Sequence, residues 1–76
     1  MNYDRKKVDE AVLALLHLTT FQDDSGFRTW KGHDWEVLNR LHEDGYIANP
    51  KSKSRSVEIS DEGRQRSSEL FERHFK

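Results

Sequence analysis

Only 17 of the 76 residues are Leu, Ile, Val or Phe, and this scarcity constrains the chain more than any motif in it. A domain of such length buries about 60% of the surface that its unfolded chain exposes. One small core, drawing on every strongly apolar segment, is therefore the most the sequence can support. The apolar fraction lies just above the level of about 20% at which disorder becomes the expectation. Two Trp and two Tyr tip the balance toward folding. A single domain over residues 1–76 is expected.

The first apolar segment has helical spacing. Val8, Ala11, Val12, Leu15 and Leu16 recur on one face, and Leu13 and Leu18 widen it. The spacing predicts a long N-terminal helix over residues 4–21, with Asp4 as its cap and Tyr3 placed to pack on Val8. The pattern breaks at Asp23, Asp24, Ser25 and Gly26, and the aromatic run over residues 27–31 reads as a short strand. A second helix is expected over residues 34–44, burying Trp35, Leu38 and Leu41. Gly45 stands where a left-handed residue ends a helix, and Tyr46 stands where the following contact falls back on Leu41.

Residues 46–49 and 56–59 read as two strands joined through 50–55, with Val57 and Ile59 on one face and Glu58 on the other. Ser60 then caps a last helix running to about residue 75, with Asp61 and Glu62 in the first turn, where the helix dipole favours anions. Gly63 costs roughly 1 kcal/mol relative to Ala inside a helix, so its place in that turn implies close packing against the hairpin or the first helix. The expected architecture is α+β: a long N-terminal helix, a short strand, a second helix, a two-stranded wing and a C-terminal helix.

The 13 Lys and Arg nearly cancel the 14 Asp and Glu, leaving a formal charge of −1. No strong overall field draws the chain to nucleic acid or membrane, so any electrostatic function is local. There is no Cys, which excludes disulfides, thiol chemistry and Cys-ligated zinc. Arg5, Lys6 and Lys7 precede an apolar run, but Asp9 and Glu10 interrupt it and no small-residue cleavage site follows. No stretch approaches the ~20 apolar residues of a membrane span. A cytoplasmic location, without membrane contact, is expected.

The stretch Leu38-x-x-Leu41-x-x-x-Gly45-Tyr46-Ile47, then a basic segment, then Val57-x-Ile59-Ser60-x-x-Gly63, resembles the second half of winged-helix domains of bacterial regulators. That resemblance implies a helix in a DNA groove, a wing on the phosphate backbone and a final helix that mediates dimerisation. The whole chain resembles an uncharacterised family of small bacterial proteins, a domain of unknown function. The carriers are Ala11-Val12-Leu13-Ala14-Leu15-Leu16, Trp30-Lys31-Gly32-x-Asp34-Trp35 and Leu70-Phe71-Glu72-Arg73-x-Phe75. This second resemblance brings no activity with it.

Two features of the residues depart from the DNA-reading pattern. Only about ten residues, 23–32, separate the first helix from the would-be reader, so the middle helix of a helix-turn-helix has no segment to form it. The would-be reader also carries Asp34, Glu36, Glu43 and Asp44 against Arg40 alone, whereas groove readers depend on Lys and Arg to neutralise phosphates. The 50–55 segment has the opposite character. Lys51, Lys53 and Arg55 alternate with Ser52 and Ser54, and in extended form they project from one face.

No enzyme, cofactor or metal site is expected. His17, His33, His42 and His74 contain no i, i+4 pair, and the paired carboxylates sit at helix ends or in polar loops, where capping and solvation account for them. The aromatics Phe27, Trp30, Trp35, Tyr46, Phe71 and Phe75 could line a peptide groove, but so short a domain needs most of them as core, Trp35 and Tyr46 above all, with Trp30 and Phe75 left open. The reading these residues favour is a non-enzymatic protein-interaction module. It would use Glu36, Arg40 and Glu43 on the acidic helix and Leu70, Phe71 and Phe75 on the last helix, with an unknown protein or a second copy as partner. The alternative is a nucleic-acid-binding regulator that holds phosphates through Lys51, Lys53 and Arg55, helped by Arg5, Lys6 and Lys7.

Overall fold

Asp4 opens the first helix by accepting a hydrogen bond from the Lys7 amide. A computed structural model describes residues 2–24 and 26–76, in the order α1 (Arg5–Leu18), β1 (Phe21–Asp23), β2 (Gly26–Trp30), α2 (Trp35–Glu43), β3 (Ser56–Glu58) and α3 (Asp61–Phe75). The fold is α+β: three helices and one antiparallel sheet of order β1-β2-β3.

α1 stops at Leu18, three residues before the expected end, because threonines capture the last turn. The Leu16 carbonyl accepts from the Thr20 hydroxyl at 2.7 Å and from the buried Thr29 hydroxyl at 2.9 Å. The β-branched pair Thr19 and Thr20 then leads into β1, a strand absent from the sequence reading. Phe21 lies opposite Arg28 and Asp23 opposite Gly26. A hairpin thus fills the space where a helix-turn-helix would carry its middle helix.

α2 ends as Gly45 implied. At φ 84°, Gly45 donates to the His42 carbonyl, and Tyr46 donates to the Leu41 carbonyl, each at 3.0 Å. This is a Schellman ending. The inward residues of α2 are Val37, Leu38 and Leu41. Trp35, expected in the core, is 48% exposed, because the inclusion of Val37 rotates the apolar stripe away from it.

The expected strand over residues 46–49 is reduced to a bridge between Ile47 and Ile59, with one further backbone bond from the Ala48 amide to the Glu58 carbonyl. Asn49 ends it by accepting from the Lys51 amide through its side chain, and Pro50, which has no amide proton, is buried next to it.

α3 is capped by Ser60, whose hydroxyl accepts from the Gly63 amide at 2.9 Å and donates to the Gly45 carbonyl at 2.7 Å. The implied close packing at Gly63 is present. A Cβ there would collide with the Tyr46 carbonyl and lie 2.9 Å from Ile59 Cγ1. α3 runs antiparallel to α1, with His17 against Phe71 and His74 beside Glu10. Leu13, Ala14, Leu16, Val37, Leu38, Leu41, Ile47, Val57, Ile59 and Leu70 form the core. All three helices and one sheet face contribute to it.

Candidate nucleic-acid interface

The basic segment between Ile47 and β3 is a structured loop and not the extended ribbon expected of it. Lys31, the residue after β2, organises it. Its ammonium donates to the Pro50 carbonyl at 2.7 Å, to the Ser52 carbonyl at 2.6 Å and to the Ser52 hydroxyl at 3.1 Å. An ammonium has three protons, so all are used inside the protein. The Lys31 amide also donates to the Arg55 carbonyl, and the Ser54 hydroxyl accepts from the Ser56 amide. Lys51, Lys53 and Arg55 are exposed on this loop, and none of the three side chains has a hydrogen bond or ion pair among the described residues.

The sheet adjoins the loop through its register. Trp30 lies opposite Ser56, so β2 and β3 meet where the loop begins. Alternation places Phe27, Thr29 and Val57 toward the helices, where Thr29 and Val57 are buried. Phe21, Arg28, Trp30 and Glu58 share the outer face. There Trp30 is 49% exposed, and its ring centroid lies 5.4 Å from that of Phe21. The Arg28 guanidinium is fixed by the Ser56 hydroxyl and carbonyl, each at 2.8 Å, with Asp23 at 3.9 Å.

Of the residues assigned to a protein-interaction face, Arg40 and Leu70 line one cleft between the helices, and Glu36, Glu43 and Phe75 are exposed. Arg40 grips Asp9 of α1 through two bonds of 2.7 and 2.8 Å, a fork geometry that joins α2 to α1. The bond to Asp9 and, secondarily, its charge and Tyr3 raise the guanidinium pKa further, against partial desolvation. Leu70 is 1% exposed and belongs to the core. Arg40 thus keeps a partly exposed guanidinium that is engaged within the protein, and Leu70 serves the core. Glu36 and Glu43 are exposed on α2. Phe71 packs between His17 and Phe75, and Phe75 is 49% exposed.

Arg5 and Lys6 line a cleft of about 420 Å³ where the three helices meet, with Asp9, Glu10 and Asp44 among its other walls. Arg40 and Arg66 line the same cleft, and Asp9 is already engaged by Arg40. Lys7 is exposed on the first turn of α1. Among the described residues, no three His, Asp or Glu side chains come together as a metal cluster would require. No described helix is long and apolar enough to cross a membrane.

Phe21, Arg28 and Lys31 were missed as site residues by sequence reasoning. The signal was present: Phe21 and Gln22 precede an Asp-Asp-Ser-Gly turn, and a strand of similar alternation follows it.

An uncharacterised protein of Sinorhizobium fredii (strain NBRC 101917 / NGR234), y4hR, is 49% identical over 75 residues, covering 99% of this chain and 97% of that protein. No solved structure matches the chain. The family described as "Domain of unknown function (DUF6429)" matches residues 4–76, and the chain belongs to that family.

Proposed function

We propose that this domain is a non-catalytic nucleic-acid-binding module that grips phosphates through Lys51, Lys53 and Arg55. The observation that carries this reading is the state of the loop. Three exposed cations within five residues lack carboxylate partners among the described residues, on a backbone held by the three bonds of Lys31. Such a loop loses little conformational freedom on binding. The protein-interaction reading has less support, since Arg40 is engaged by Asp9 and Leu70 is in the core. Groove insertion of α2 has no part in the proposal, because its exposed Glu36 and Glu43 would meet phosphates.

The test is fluorescence anisotropy with labelled DNA of mixed sequence, single-stranded and duplex, at 50 and 200 mM salt. Three neutralised phosphates give a slope of about −2 in log affinity against log salt on a single strand, or roughly a 20-fold loss over that range. The double substitution Lys51→Glu, Lys53→Glu should abolish binding at both salts while leaving the far-UV circular dichroism spectrum unchanged. Absence of salt-dependent binding to either DNA refutes the reading.

A further inference from the structure

We infer that the outer sheet face at its Trp30 end is a stacking platform for unpaired bases, which makes single-stranded nucleic acid the ligand of this domain. The inference rests on the phosphate-binding reading above and deepens it. Trp30, Trp35 and Phe75 are each about half exposed, and of these Trp30 is the one on a sheet face, beside Phe21, with the reverse of that face supplying the core. Aromatic rings displayed on a rigid sheet stack against any base, because every base has a π-face. The bases of a duplex are already stacked on one another and offer no such face.

Position connects the platform to the cations. Trp30 pairs with Ser56, and the next backbone bond, from the Lys31 amide to the Arg55 carbonyl at 3.2 Å, begins the loop that carries Lys51, Lys53 and Arg55. Phosphates and bases of one strand thus find their partners side by side. The face is also graded in charge. Asp23 pairs with Gly26 at the far end of β2, and Glu58 lies opposite Arg28, two residues along β3 from Ser56. Arg28 offsets one of these two carboxylates, and the excess of one negative charge there against the three loop cations favours a polyanion at the Trp30 end. Charge complementarity sets the occupant's sign, and the aromatic pair selects exposed bases over an acidic peptide.

The experiment uses the full chain carrying Trp35→Phe, so that Trp30 is the sole indole reporter. A twelve-nucleotide oligothymidine, a duplex of equal length and polyglutamate are titrated in turn. The platform predicts quenching of Trp30 fluorescence by the single strand and weaker binding of the duplex. Trp30→Ala should weaken single-strand binding at least fivefold, the lower end of the range for one stacked base, and Trp30→Phe should recover part of that loss. If the duplex binds as tightly as the single strand, or Trp30→Ala costs less than twofold, the platform is overturned while phosphate binding stands. If neither DNA binds in a salt-dependent way, the phosphate reading fails and the platform with it. Polyglutamate binding tighter than oligothymidine overturns both in favour of an acidic protein.

Discussion

Gly63 shows how one residue can be fixed by its neighbours. Replacing Gly by Ala inside a helix normally stabilises by about 1 kcal/mol. Here the added Cβ meets the Tyr46 backbone carbonyl and Ile59 Cγ1, and a carbonyl held by the Ser60 amide at 2.9 Å cannot swing aside as a flexible side chain would. Overpacking of this kind costs about 1–3 kcal/mol, so the collision outweighs the propensity gain. With about 1 kcal/mol left at mid-range, Gly63→Ala should lower the melting temperature by about 4–8 °C in a domain this size. Thermal unfolding followed by circular dichroism measures this, and an unchanged or raised midpoint contradicts it. Caps and stops at this scale were legible in advance at Asp4, Gly45 and Ser60, because these residues act on backbone groups within a few residues of themselves. Trp35 was not legible, because its burial depends on how α2 is rotated against α1, and that is set by Val37 and the Asp9–Arg40 fork.

At the scale of elements, the loop after Ile47 depends on a lysine distant in sequence. Lys31 makes three bonds to loop acceptors, all of them on Pro50 and Ser52. Lys31→Met keeps the aliphatic stem and removes these bonds. The expected consequence is a loss of about 1 kcal/mol, since the bonds are charge-assisted but largely solvent-exposed. Backbone amides of residues 51–54 should become mobile on the nanosecond timescale in NMR relaxation, and DNA affinity should fall severalfold although Lys31 itself has no proton left to offer a phosphate. Full affinity with a mobile loop would show that its order is irrelevant to binding. The order α1, strand, α2, β3, α3 and the basic composition of the loop could be read from local spacing. The β1–β2 hairpin had its turn signal in the sequence, but its pairing competes with extension of α1, and threonine hydroxyls on the Leu16 carbonyl decide the outcome. The outer sheet face became visible only with the register, because a shift of one residue would send Trp30 inward.

For the molecule as a whole, charge distribution matters more than charge. With 13 cationic and 14 anionic side chains, the distant field is close to neutral and supplies little steering. Binding must then report on local cations, and its salt dependence counts them. A slope near −2 on a single strand corresponds to Lys51, Lys53 and Arg55 acting alone. Lys51→Gln or Arg55→Gln should each reduce the slope by about 0.7. Lys76→Gln, which removes a charge already paired with Glu72 at the end of α3, should leave it unchanged. A slope near −4 would instead bring in Arg5, Lys6 and Lys7 at the start of α1, and charge-neutral substitutions at those three positions would then restore −2. The slopes therefore separate a footprint confined to the loop and sheet from one that extends to the first helix.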